Sequence, residues 1–126
     1  MQEQQLFDYL ADCCYPDLVM AKNKMSRWDC YSPSTYHRVE LKCRTKHYDT
    51  LVLEKKKYDA MLEVCTKNLD LPMYICSTPK GVYRYNLFQI KPNWESGYFK
   101  KTTNFSNNNY IPKMVTMLPI SEAEKL

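Results

Sequence analysis

Glycine is nearly missing from this chain: of 126 residues only Gly81 and Gly97 lack a side chain. Loops that cradle a phosphate need closely spaced glycines so that backbone N–H groups can approach the ligand, which excludes a Walker loop and a dinucleotide fingerprint. No Gly-x-Ser-x-Gly elbow is present either, so a serine hydrolase is not expected. Histidine is almost as scarce, with His37 and His47 alone, and the six cysteines at positions 13, 14, 30, 43, 65 and 76 form no Cys-x-x-Cys pair. Structural zinc is therefore not expected. No apolar run approaches the length of a membrane span, and the stretch from Met1 to Gln5 lacks the basic and apolar regions of a secretion signal. The expectation is a cytoplasmic protein with no membrane contact. Its thiols should be reduced, with Cys43, Cys65 and Cys76 in apolar registers acting as small core hydrophobes.

What the chain does have is enough apolar residue content, 44%, to build the core of one domain, and a net charge of +4. A mildly basic balance favours a polyanionic partner. Its distribution is more telling: Arg38, Lys42, Arg44, Lys46, Lys55, Lys56 and Lys57 crowd into the middle of the chain, whereas Gln2 to Asp17 is acidic.

The chain opens with an amphipathic helix expected over residues 3–14, with Leu6, Phe7, Leu10, Cys13 and Cys14 on one stripe and Gln4, Gln5, Asp8 and Asp12 opposite. Glu3 lies in line with the apolar stripe, so it either points toward the sheet as a metal-holding carboxylate or simply complements the helix dipole. After Pro16, short strands are expected over 17–21 and 27–31, with a turn at Lys22 to Lys24 between them, and a longer strand over 36–45. A second helix starts at Thr50 or at Glu54, the stretch from Thr50 to Leu53 also being compatible with a strand. Its buried stripe would be Tyr58, Met61, Leu62, Cys65 and Leu69. Residues 72–77 and 82–88 form a hairpin around the turn from Thr78 to Gly81, with Tyr83 and Tyr85 as packing residues. From Lys91 onward periodicity is low, with a turn at Asn107 to Asn109 and a short strand over 113–118. Trp94 is a candidate for fastening this segment to the core. The element order predicts an α/β fold with a mixed sheet flanked by helices.

Within residues 36–45 the alternation is strict. A strand here places Arg38, Glu40, Lys42 and Arg44 on one face and Val39, Leu41 and Cys43 on the other. Asp29, in the preceding short strand, would lie beside Glu40, with Lys42 one step further on. Two carboxylates and an ammonium on one sheet edge are the parts needed to hold a divalent cation and activate a water against a phosphodiester. The plain alternative is a solvated face of cross-strand ion pairs.

The Glu40-x-Lys42 motif, Asp29 before it and the order helix, three strands, helix, strand resemble the PD-(D/E)XK nuclease superfamily over residues 3–88, with 89–126 as a C-terminal extension. The resemblance implies a restriction-endonuclease-like α-β-β-β-α-β core and metal-dependent hydrolysis of DNA, with Asp29, Glu40 and Lys42 as the catalytic set. It implies Mg²⁺, with Mn²⁺ able to substitute, held by Asp29, Glu40, the Leu41 carbonyl and Glu3. It further implies phosphate contacts from Lys57, with Lys55 as its rival on the helix after the motif. Arg38, Arg44 and Lys46, on the basic surface around the motif, are the other expected nucleic-acid contacts. Trp28 stands where the motif has proline, whereas Pro16-Asp17 spells the literal dipeptide, so Asp17 remains an alternative first acid. Small members similar to this chain include Holliday-junction resolvases, which act as dimers, and short phage or mobile-element nucleases. The rival readings are a non-catalytic nucleic-acid-binding or accessory protein on the same fold, and a virion or interaction protein whose charges form ion pairs.

Overall fold

The computed structural model describes residues 1–23, 26–100 and 110–126, with backbone only at 99 and 100. Helix α1, Glu3–Cys13, buries Leu6 and Leu10 on its apolar stripe, while Cys13, expected on that stripe, is exposed at the frayed end. Full burial of two leucines stabilises the docked helix by about 1.5–3 kcal/mol each. Strands β1 (Val19–Met20), β2 (Cys30–Ser32) and β3 (His37–Cys43) follow as an antiparallel ladder. They are shorter than the alternation suggested. Strand β4 (Thr50–Glu54) then leads directly into α2 (Lys55–Asn68), so the stretch from Thr50 is extended and Glu54 takes the N-cap position without a side-chain cap hydrogen bond.

Strands β5 (Leu71–Thr78) and β6 (Gly81–Asn86) form the expected hairpin, and Tyr83 and Tyr85 are both buried. Strand β5 returns parallel to β3, pairing Glu40 with Tyr74 and Lys42 with Cys76, which requires the crossover that β4 and α2 supply. Beyond it come β7 (Glu95–Lys100), β8 (Tyr110–Pro119), a short 3₁₀ turn over Ile120–Glu122 and β9 (Glu124–Lys125). The main sheet runs β1-β2-β3-β5-β6-β9, and a second sheet runs β4-β8-β7. The turn expected at Asn107 to Asn109 lies outside the described residues, as does Lys24.

This is a mixed α/β fold with a mixed central sheet and two helices. One face of the main sheet is covered by α1, around Leu6, Leu10, Val39, Leu41, Met73 and Ile75. On the other face, α2 and the second sheet close over Leu51, Leu53, Met61, Tyr74, Cys76 and Leu118. The charged face of β3 therefore looks into the second layer and not out to water. Trp94 fastens the C-terminal segment as expected, meeting Tyr58 edge to face at 5.2 Å. Leu69, expected in the buried stripe of α2, is instead 87% exposed. It adopts a left-handed conformation (φ 58°) that ends the helix and turns its side chain out.

Candidate active site

Strand β2 stops pairing with β3 at the Cys30–Val39 pair, and one step on Asp29 faces Glu40. At this fork the Asp29 N–H donates to the Val39 carbonyl at 2.9 Å. The Leu41 N–H, which has run out of strand partner, donates to Asp29 Oδ2 at 2.7 Å. A carboxylate thus replaces the missing ladder acceptor, because a buried backbone donor needs one. In an extended strand a residue's N–H and C=O turn to the same edge, so the Leu41 carbonyl opens beside Asp29.

Glu40 projects to the α2 side with 12% of its side chain exposed, and its Oε1 accepts a hydrogen bond from Lys57 Nζ at 2.9 Å. Burial and then the Asp29 charge push the Glu40 carboxyl up to about 7, although Lys57 acts against them. Burial opposes the Lys57 ammonium, but Glu40, Glu54 and Asp29 outweigh it and the net shift is upward. Lys57 stands in the first turn of α2, since that helix begins at Lys55. Glu3 is at the rim, where partial burial and Asp29 raise its carboxyl despite Lys57. It is exposed in the first turn of α1, a place that also suits the helix dipole.

Lys42 lies on the same face as Glu40 and makes no ion pair among the described residues. Burial, then Arg44 and Lys57, lower its pKa, with Glu54 pulling the other way. Arg44 prolongs β3, its N–H donating to the Ser77 carbonyl at 2.8 Å, and its Nε is buried without a hydrogen-bond partner among the described residues. Lys46 is exposed on the loop after it. Lys55 pairs with Asp59 at 2.7 Å and lies 5.7 Å from the Trp94 ring.

Two expectations change. Arg38 is not available to a phosphate: its Nε donates to Asp70 Oδ2 at 2.6 Å, the two side chains are 15% and 3% exposed, and the guanidinium lies against Trp28 and Tyr31. Its end of β3 is roofed by the C-terminal end of α2, where a charge must be paired to stay. Asp17, the literal alternative to Asp29, accepts from Ser32 Oγ and the Ser34 N–H, both at 2.7 Å. It sits at the other end of β2, and these hydrogen bonds hold its carboxyl below its ordinary range.

Asp29 and Glu40 open into a cleft of about 1090 Å³ walled by the start of α2, Lys55 to Lys57, and by residues 111–114 of β8. Two further groups here escaped sequence reasoning, Glu54 and Lys113, which form an ion pair across the cleft wall. The signal for Glu54 was its place as a helix cap, and for Lys113 its place in the expected strand over 113–118. What joins them is the pairing of β4 with β8, which no local pattern reveals.

No protein-family model matches the sequence, and no curated protein does. Among solved structures, Hjc of Archaeoglobus fulgidus, a Holliday junction resolvase from an archaeal hyperthermophile, aligns with a TM-score of 0.55. The alignment covers 95% of this chain and 89% of that one at 13% identity. The fold is similar to that of this resolvase. At such identity the likeness concerns the backbone, and the side chains must be judged on their own geometry.

Among the described residues no three His, Cys, Asp or Glu side chains stand close enough together to hold an ion by themselves. Mg²⁺ needs fewer, since it is commonly bound through one or two carboxylates and keeps several waters. The donors at the fork are hard oxygens, and the Glu40 carboxyl, raised first by burial, is raised further by the Asp29 charge beside it despite Lys57. The residues therefore suit a hard divalent cation in donor chemistry and in charge.

Proposed function

We propose that this chain is a metal-dependent deoxyribonuclease, a single nuclease-like domain that hydrolyses phosphodiester bonds in phage or mobile-element DNA processing or recombination. The observation that carries this reading is the meeting of Asp29, Glu40 and Lys57 at the floor of a lysine-walled cleft. The likeness of the fold to a Holliday junction resolvase supports it. Asp29, Glu40 and the Leu41 carbonyl, with Glu3 at the rim, would hold Mg²⁺ or Mn²⁺. When bound, such an ion supplies polarisation of the scissile phosphate and a water of lowered pKa.

The protein's own groups do the rest. Lys42, without an ion pair among the described residues and partly desolvated, orients the attacking water or stabilises the charge that builds on the phosphate oxygens. Lys57 exchanges Glu40 for a phosphate oxygen once the carboxylate is otherwise engaged. Arg44, Lys46 and Lys55 add contacts to the backbone of the DNA, giving affinity that falls with salt and carries little sequence information. Two copies acting as a dimer would place two such clefts on one substrate.

The test is a panel of labelled DNAs (duplex, single-stranded, flap and four-way junction) incubated with Mg²⁺ or Mn²⁺. Cutting that stops on chelation and in Glu40→Gln supports the reading. The Glu40–Lys57 pair favours one rival, an interaction protein whose charges form ion pairs, which would neither bind nor cut DNA. Salt-sensitive binding with no cleavage of any substrate would instead select the non-catalytic binding module on the same fold.

A further inference from the structure

Strand β8 carries an apolar face beyond the core it serves. Thr116 and Leu118 are buried opposite Leu53 and Leu51, and alternate residues of a strand share a face. That same face continues outward as Met114, Pro112 and Tyr110, all exposed, with Tyr98 of β7 directly opposite Pro112. Tyr98 is 78% and Tyr110 60% exposed. Pro112 and Met114 line the same cleft as Asp29 and Glu40. The opposite wall offers three consecutive lysines, of which Lys56 makes no ion pair among the described residues.

We propose that Tyr98 and Tyr110 form a stacking platform for unpaired bases, so that the cleft takes a nucleic-acid strand with unstacked nucleotides in preference to a continuous duplex. The inference rests on the nuclease reading for the cleft's purpose, but the platform is argued from its own geometry. A duplex presents phosphates outward and hides its base faces, so it has no use for exposed aromatic rings beside a basic wall. A strand whose bases are splayed satisfies both surfaces at once, phosphates on the lysines and bases on the rings. Lys56, which has no ion pair among the described residues, favours this occupant over an apolar protein segment, which would leave that charge unmatched.

The experiment is equilibrium binding in chelator, followed by fluorescence anisotropy, of labelled oligothymidylate and of a blunt duplex of the same length at one salt concentration. Wild type, Tyr98→Ala, Tyr98→Phe and Tyr110→Ala are compared, with thermal unfolding to check that each is folded. The single strand should bind more tightly than the duplex to wild type, and each alanine should weaken it by roughly 5- to 100-fold. Duplex binding should not change, and Tyr98→Phe should behave as wild type. Equal losses on both probes, no loss on either, or a wild-type preference for duplex would overturn the platform. So would a wild-type dimer that Tyr98→Ala dissociates, since the face would then belong to a second copy. Because metal is absent throughout, failure to cut DNA elsewhere would count against the nuclease and leave this result standing.

Discussion

Replacing Glu40 by Gln should make the metal-free protein more stable at pH 8 and leave it unchanged near pH 4. The Glu40 carboxyl moves from an ordinary 4.5 to about 7 on folding, burial and Asp29 together outweighing Lys57. Below about 4.5 it is protonated in both folded and unfolded chains and contributes no difference. Between 4.5 and 7 the folded state keeps a proton that the unfolded state has released, so stability falls as pH rises. Above 7 the full cost of the buried charge is present. At 1.36 kcal/mol per pH unit, that cost is about 3 kcal/mol, equivalent to roughly 10 °C in Tm for a chain of this size. Glutamine keeps the shape and can still accept from Lys57, so most of the cost should be recovered. Urea unfolding of wild type and Glu40→Gln at several pH values in chelator measures it directly. A variant that is less stable than wild type at pH 8 would refute the reasoning, because the Glu40–Lys57 pair would then be a net stabiliser. Added Mg²⁺ should stabilise wild type at pH 8, and not the variant, by about 2.7 kcal/mol at a hundredfold excess over Kd.

Asp70→Ala strands the buried Arg38 guanidinium, and denaturant midpoints should show a loss of about 3–5 kcal/mol; a loss below about 1 kcal/mol would mean the pair is not desolvated. Lys56→Ala should lower DNA affinity evenly across sequences and reduce the slope of log Kd against log salt by about one, measured by anisotropy at several salt concentrations. Asp17→Ala breaks the bonds to Ser32 and Ser34 and should lower the midpoint of urea melts without changing DNA cleavage by the folded fraction, whereas Asp29→Ala should remove cleavage.

The parts of the fold that could be read in the sequence are those whose cause is local. The hairpin of β5 and β6 is set by Pro79 and Gly81, and β3 by an alternation that has a single solution as a strand. Asp29 was legible because only a hairpin separates it from Glu40. The second sheet was not, because β4 finds its partner β8 far along the chain, pairing Thr50 with Pro119 and Glu54 with Val115. That distant pairing roofs the charged face of β3, turning what looked like a solvated surface into a partly desolvated site, and it brings Glu54 and Lys113 to the cleft. Arg38 shows the same limit. On the strand it is equivalent to Glu40 and Lys42, and only the return of the chain through Asp70 shows that its charge is spent internally. Strand β7 was missed for a further reason: Glu95, Ser96 and Tyr98 are exposed, so burial imprints little periodicity on them.

Lys42 offers the most direct test of the central claim, because it has no ion-pair partner among the described residues and its loss should cost the fold little. Single-turnover cleavage of whichever DNA of the panel is cut, in saturating Mg²⁺, would be compared between wild type and Lys42→Ala, with anisotropy and Tm measured alongside. The account predicts that cleavage falls by at least about a hundredfold while binding and Tm stay near wild type. Cleavage that survives the substitution intact, or wild type that cuts none of the panel under any divalent metal, would contradict it.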